Sequence, residues 1–273
     1  MSIARPCPFS VESEFCKYET QIGTPNLKMC DKCNWNPKKE QAHSVNSYKE
    51  GNMEVEMKAR ITDEQIDKLL QTDLSSFGFK IKEQPKFLSK DDVYYSKNGE
   101  NILNPTTVIR TRTEGLIIAD SIKKIFDKIS ACLLSEKKNF ITVKHKATDS
   151  DGVETNEETE GEISEEAVTA FNLAMVATGY MPYFTKSKQS ASFYVEVLDG
   201  SCKGKEIHCE IVTVNGRGPY LEIEAFVTHD ETQLNFESVI DAQRTIKNFF
   251  KKVLGITEFD GRSWHKIILE EED

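Results

Sequence analysis

Carboxylate side chains recur at every second position in three segments of this 273-residue sequence, and basic side chains do so in three others. A period of two is typical of a β-strand, whose alternate side chains point to one face of a sheet. Carboxylates bind divalent cations, and Arg and Lys bind phosphate groups, so together the two sets would suit a metal-bound phosphate compound. The acidic set comprises Glu54, Glu56, Glu158, Glu160, Glu162, Glu222 and Glu224, and the basic set comprises Arg110, Arg112, Lys144, Lys146, Lys186 and Lys188.

The simplest alternative is a sheet whose charged face points to water. Solvated faces usually mix both signs of charge, whereas here the two signs are largely separated by strand. The opposite faces are apolar or neutral, and the sequence supplies helices that can cover them. If those helices lie outside, the charged faces meet inside a closed barrel. Such an interior is costly unless water and ions fill it, which favours a ligand site.

Turn and capping signals divide the sequence after residue 50 into many strands and a few helices. Helical spacing predicts helices after Thr62, after Ser164 and over 234–254, with a helical insertion near 119–134. The strands follow one another through turns, so we predict an α+β fold with an antiparallel sheet. The predicted strands are 53–60, 79–84, 86–95, 106–114, 139–148, 153–163, 181–198, 205–214 and 219–227, followed by a short tail strand at 264–269.

Four of the seven cysteines lie within the first 33 residues. The spacing of Cys30 and Cys33 allows two thiolates to reach one metal ion, and Cys7 and Cys16 could complete a tetrahedral zinc site. The alternative is a loose arm with incidental thiols, since one C-x2-C pair is only half of a strong signal. We therefore predict two parts, a small Cys-rich N-terminal segment over 1–48 with possible structural Zn²⁺ and a second domain over 49–273.

The overall charge restricts the classes of partner. Lys+Arg 35 and Asp+Glu 45 give a formal net charge of −10, which disfavours duplex DNA or an anionic membrane as a partner bound through net charge. No apolar run approaches the ~18 residues of a membrane helix. The N-terminus lacks the apolar stretch of a secretory signal, so we expect a cytoplasmic protein.

Six short motifs, in order over about residues 50–270, resemble those of the CYTH family, the triphosphate tunnel metalloenzymes. Each motif is weak alone, and the ordered set is a strong signal. The matching segments are 54–58 (E-x-E-x-K), 92–95 (D-x-Y-Y), 108–112 (L-R-x-R), 141–144 (L-T-x-K), 216–224 (G-x-G-x-F-x-E-x-E) and 261–268 (S-Y-x-x-L-L).

The resemblance implies an eight-stranded closed antiparallel β-barrel with covering helices, whose tunnel binds a triphosphate compound or nucleotide with Mg²⁺ or Mn²⁺. It implies that carboxylates on three strands hold the metal, namely Glu54, Glu56, Glu158, Glu160, Glu222 and Glu224. It implies phosphate contacts from Lys58, Arg110, Arg112, Lys144 and Lys188, of which all but Lys188 would also be catalytic. Lys146 and Lys186 could add further positive charge.

Three positions depart from the family pattern. Asn156 replaces an Arg, Ser190 replaces a base, and Val212 replaces an acid, although Glu210 lies on the same face two residues earlier. Three functions therefore stay open. Hydrolysis of a terminal phosphate ranks first, and class IV adenylyl cyclase ranks second because 179–189 resembles that subgroup. The third is a tunnel that binds nucleotides or RNA ends without turnover. A homodimer also stays open.

Overall fold

A computed structural model of the chain describes residues 53–97, 105–117, 137–148, 153–228 and 235–270. The predicted zinc ligands Cys7, Cys16, Cys30 and Cys33 lie outside the described residues, and so does the insertion at 119–134. The two-part division of the chain at 48/49 therefore stays a prediction. Among the helices of the described ranges, none combines the length and apolar character needed to cross a membrane.

The described residues form nine strands in one antiparallel sheet. The spatial order is β2-β7-β3-β4-β5-β6-β1-β9-β8, and β7 also pairs with β8. This last pairing closes eight strands into a barrel, with β2 as an extra strand beside the end of β7, so the predicted α+β closed barrel is confirmed. The strands are β1 (Met53–Arg60), β2 (Phe79–Ile81), β3 (Lys86–Lys97), β4 (Thr107–Leu116), β5 (Lys138–Thr148), β6 (Glu154–Ile163), β7 (Tyr180–Val197), β8 (Glu206–Val214) and β9 (Arg217–Val227).

Helices α1 (Asp63–Gln71) and α2 (Glu165–Ala177) lie where capping signals predict them, and α3 (Val239–Phe249) lies within the predicted 234–254 segment. Thr62 caps α1 in a capping box, because its hydroxyl accepts from the Gln65 amide and the Gln65 side chain accepts from the Thr62 amide. Helix α3 begins at Val239, later than the predicted start near residue 234. It passes into a π-helical turn, Phe250–Leu254, before Gly255 ends it in a left-handed conformation.

The predicted tail strand at 264–269 is wrong, because these residues form helix α4 (Trp264–Glu270). The Lys266 amide donates to the Ser263 hydroxyl, which starts the helix. Ile267 and Ile268 then lie three and four residues after Trp264, which is helical spacing, and all three pack in one apolar cluster with β8 and β9 residues.

The apolar faces of the strands form the core outside the barrel. Val55 and Met57 of β1 are fully or almost fully buried in one cluster with Leu69 of α1 and with Ile246 and Phe249 of α3. Burial of each such side chain contributes about 1.5–3 kcal/mol. Because side chains alternate along a strand, this packing fixes which face of each strand points into the barrel.

Candidate active site inside the barrel

A cavity of about 400 Å³ lies within the barrel and is lined mostly by charged side chains. All the predicted magnesium and phosphate residues line it except Lys58. Lys58 is buried on the same face of β1 as Glu54 and Glu56, beyond the lining residues. Strand register brings the rest together, since Glu56 lies opposite Glu224 and Lys144 lies opposite Glu158.

Three carboxylates meet on the side of the cavity formed by β1 and β9. One oxygen from each of Glu54, Glu56 and Glu224 lies within 4.8 Å of the other two. Burial raises the pKa of Glu54 to about 8; the charge of Lys144 opposes this shift, and the neighbouring carboxylates add to it. By contrast, the surrounding lysines outweigh burial at Glu56, and His208 does so at Glu224, so the pKa of each of these two carboxyls is held below its ordinary value.

Lys144 supplies positive charge to this cluster from β5. Its Nζ lies 2.5 Å from Oε2 of Glu54, 3.4 Å from Oε2 of Glu56 and 3.0 Å from Oε2 of Glu158. Burial disfavours the charged ammonium, but these carboxylates outweigh burial and raise the pKa of Lys144 well above its ordinary value. The acidic cluster and the bases of β5 are therefore one electrostatic unit.

Two buried polar atoms, Arg110 Nε and Asn156 Oδ1, have no hydrogen-bond partner within the described ranges. The Asn156 amide donates to Glu54 Oε2 at 3.3 Å, so this residue lies beside the acidic cluster. The terminal nitrogens of Arg110 contact Asp92 and Glu158 at 3.6 and 3.5 Å. An unpaired buried group costs about 1–3 kcal/mol. A free acceptor beside carboxylates suits a cation, and a free donor among bases suits an anion.

Asp92 of β3 binds the bases of the opposite wall. Its carboxylate accepts two hydrogen bonds from Arg112, at 2.7 and 3.1 Å, and lies 3.2 Å from Nζ of Lys186. Burial would raise the pKa of Asp92, but Lys186, Arg112 and Arg110 outweigh it and hold that pKa well below its usual range. These bases are therefore already ordered before any ligand binds.

Glu210 of β8 orders a second pair of bases, as Asp92 orders the first pair. It forms ion pairs with Lys188 and, at 2.7 Å, with Lys90, and it accepts a hydrogen bond from Ser190. The two lysines hold the pKa of Glu210 well below its usual range in spite of burial. Val212, which replaces an acid of the family pattern, instead packs in the apolar cluster with α4.

Two further side chains fix acidic residues of the cavity wall. Nε1 of Trp264 donates to Glu222 at 2.5 Å, and Glu222 also lies 2.5 Å from Nζ of Lys188. His208 lies 3.0 Å from Glu224 through Nδ1. Both acids are thereby held in one orientation.

Sequence reasoning assigned no role in the site to several residues of this interior, namely Lys90, Asp92, His208, Glu210 and Trp264. Asp92 and Trp264 lie in matched motifs, and Glu210 was noted on the face of the missing acid. A signal was present for most of them. Lys90 and Asp92 alternate along β3, and His208 and Glu210 alternate along β8, so each pair shares one face of its strand. The contacts of Trp264 depend on α4, which the sequence pattern did not identify as a helix.

Comparisons with known proteins bear on the fold. No family model matches the sequence, and no curated protein is similar enough in sequence to count as a match. The solved structure of the PH1819 protein from Pyrococcus horikoshii OT3 is similar, with 21% identity, a TM-score of 0.55 and coverage of 80% of this chain and 99% of that chain.

Two other solved structures resemble the chain more distantly. HpAC1 from Hippeastrum, described as having a dominant triphosphatase activity, has 14% identity and a TM-score of 0.49, with coverage of 81% of this chain and 96% of that chain. The mimivirus capping enzyme triphosphatase has 11% identity and a TM-score of 0.36, with coverage of 74% and 89%. The conclusion on fold rests on the Pyrococcus structure. The chain shares the fold of that protein, and its closed antiparallel barrel is the one that the resemblance to the CYTH family predicts.

Proposed function

We propose that the barrel binds a triphosphate-bearing compound with Mg²⁺ or Mn²⁺ and hydrolyses its terminal phosphate. One observation carries this proposal: a single cavity of about 400 Å³ holds a three-carboxylate cluster on one wall and ordered Arg and Lys side chains on another. The six ordered motifs support the same conclusion.

The acidic cluster fits a hard divalent cation. Glu54, Glu56 and Glu224 offer carboxylate oxygens, and Asn156 Oδ1 offers a buried carbonyl oxygen without a partner in the described residues. Mg²⁺ and Mn²⁺ prefer such oxygen ligands. The cation, when bound, would polarise a phosphate oxygen and lower the pKa of a water molecule.

The basic side chains would hold the phosphates. Arg112 and Lys186 lie around Asp92, and Lys90 and Lys188 lie around Glu210, so each pair is positioned before the substrate arrives. Arg110 Nε adds a buried donor that an oxygen of phosphate would satisfy. The ordered bases would stabilise the negative charge that develops as water attacks the terminal phosphorus and diphosphate leaves.

The product mixture tests the reaction. The protein is incubated with ATP, GTP, inorganic triphosphate and thiamine triphosphate, each with Mg²⁺ or Mn²⁺, and products are separated by mass. Orthophosphate with the matching diphosphate is expected. Cyclic AMP with pyrophosphate would instead support the cyclase, and binding without products would support a ligand-binding tunnel.

Single substitutions test the site. Glu56→Ala and Lys58→Ala are expected to lower activity about 100-fold or more. The first removes an oxygen ligand of the proposed cation site, and the second removes one of the positive charges that lower the pKa of Glu56. Thermal unfolding should still show a folded protein. Glu157→Ala is a matched control, since Glu157 lies exposed on the outer face of β6 beside the cavity residue Glu158. Full activity in the Glu56 variant would contradict the proposed site.

Class IV adenylyl cyclase stays the second candidate for one reason. The segment 179–189, which resembles that subgroup, lies on β7, where Lys186 and Lys188 line the cavity. A cyclase would use the same walls to hold ATP while the ribose hydroxyl attacks the α-phosphorus.

A further inference from the structure

Four ring-bearing side chains, Tyr94, Tyr183, Phe184 and His265, line the cavity and have no part in the proposed hydrolysis. We call them the aromatic wall. The rings of Phe184 and His265 are stacked, with centroids 4.5 Å apart and planes at 29°. Tyr94 lies 5.4 Å from Phe184, and Tyr183 lies 5.6 Å from His265. The wall is therefore one continuous aromatic surface.

The aromatic wall lies toward the α4 end of the barrel. Strand β8 runs from His208, beside the acidic residue Glu224, to Val214, which packs in the cluster that contains Phe184 and residues of α4. The two ends of the cavity therefore differ in chemistry. A carboxylate–histidine pair lies toward one end, and stacked rings lie toward the other.

The aromatic wall adjoins the proposed phosphate-binding bases. The Tyr94 hydroxyl donates to Asp92 at 3.1 Å, and Nζ of Lys186 lies 5.6 Å from the centre of the Tyr94 ring. A ligand whose phosphates contact Lys186 would place the group that is bonded to those phosphates against the aromatic wall.

The solvent exposure of the four wall residues differs from that of a ring that only packs in the apolar cluster. Tyr220, which belongs to the apolar cluster beneath α4, is only 1% exposed, as expected of a ring that seals the barrel. The four wall residues are all half-buried, and all contribute surface to the cavity.

We propose that the aromatic wall binds a planar heterocyclic ring, so that the barrel binds a triphosphate carrying such a ring, as a nucleoside triphosphate does, more tightly than inorganic triphosphate. This inference rests on the proposed function, because it requires phosphates among the bases. Stacking on aromatic side chains is sequence-tolerant, since every base has a π-face. The structure therefore favours a nucleobase without choosing among the bases.

Calorimetry tests the proposal with Mg²⁺ and two ligands, ATP and inorganic triphosphate, each as an imido analogue whose terminal phosphate cannot be hydrolysed. His265→Ala is expected to weaken ATP binding about 10- to 100-fold and to change inorganic triphosphate binding less than about twofold. Phe184→Leu keeps an apolar side chain in the cluster with α4. It should also weaken ATP binding more than it weakens inorganic triphosphate binding. Thermal unfolding checks that both variants are folded.

Phe226→Ala is the matched control, because Phe226 lines the cavity from the opposite end, next to Glu54 in the β1–β9 register. It should leave the ratio of the two affinities unchanged. Equal losses for both ligands in the wall variants, or a change of ratio only in the Phe226 variant, would overturn the inference. If wild-type protein binds neither ligand, the proposed function fails too. If it binds both and the wall variants change nothing, only this inference fails.

Discussion

His208 Nδ1 lies 3.0 Å from Glu224 Oε2, and Nε2 of the same ring lies 2.7 Å from the Ser192 hydroxyl. The Tyr194 ring lies alongside, with its centroid 4.9 Å away. The imidazole is therefore held in one orientation while it fixes a carboxylate of the acidic cluster. Such partners of metal ligands commonly change metal affinity when they are replaced.

Replacement of His208 by Gln should weaken Mn²⁺ binding about 10-fold, because Glu224 loses a fixed partner. The free Mn²⁺ signal in electron paramagnetic resonance measures this without reference to turnover. His145→Gln is the control, since His145 is exposed on β5. Unchanged Mn²⁺ affinity in the His208 variant would show that this contact is only structural.

Replacement of Asp92 by Asn should lower the free energy of unfolding by about 3 kcal/mol, because Arg110, Arg112 and Lys186 lose their buried counter-charge. Inorganic triphosphate should restore much of the loss, since phosphate oxygens can take the place of the carboxylate. Thermal or urea unfolding, with and without the ligand, measures both effects. Asp91→Asn is the control, because Asp91 is exposed on the other face of β3. Equal loss in both variants would contradict the expectation.

The contribution of Asp92 to stability should depend on pH in one direction. The pKa of Asp92 is held well below its ordinary value in the folded protein. Its stabilising effect is therefore complete above the unfolded pKa of about 3.9 and is lost as pH falls through the folded pKa. The difference in unfolding free energy between wild type and Asp92→Asn should be constant from pH 7 to about 5 and shrink below about 4. A difference that grows as the solution is acidified would have the wrong sign.

The zinc prediction for the N-terminal segment needs its own measurement. Elemental analysis of purified protein should find about one zinc ion per chain if Cys7, Cys16, Cys30 and Cys33 form a tetrahedral site. Cys30→Ser should lose this zinc. Cys202→Ser should keep it, since Cys202 lies in the described barrel part as a free thiol. Absence of zinc from wild-type protein would end the hypothesis.

The interior of the barrel was predictable from sequence because strand alternation is local. Once Val55 and Met57 are assigned to the core, Glu54 and Glu56 must point the other way. The partners of these acids were not predictable in this way. Lys144 lies on β5 and reaches Glu54 across β6, so the contact depends on how the strands are staggered in the closed barrel.

The buried faces of the helices were harder to predict from sequence than those of the strands. The apolar spacing in α2 suggests that Leu173 is buried, yet it is 67% exposed, and Met175 is the buried residue of that helix. The apolar residues of α2 are spread over most sides of the helix, so their spacing alone does not indicate which face is buried. Trp264, Ile267 and Ile268 fit either a short strand or a helix, and packing against the closed barrel selects the helix.

The 18-residue strand β7 carries on one face Phe184, Lys186, Lys188, Ser192 and Tyr194. A single strand therefore contributes to the aromatic wall, to the phosphate-binding bases and to the side chains that contact His208. Insertion or deletion of one residue near Thr185 would reverse the facing of every side chain on one side of the change. A change of two residues would restore it. Over evolutionary time, this strand should therefore accept point substitutions far more readily than changes in its length.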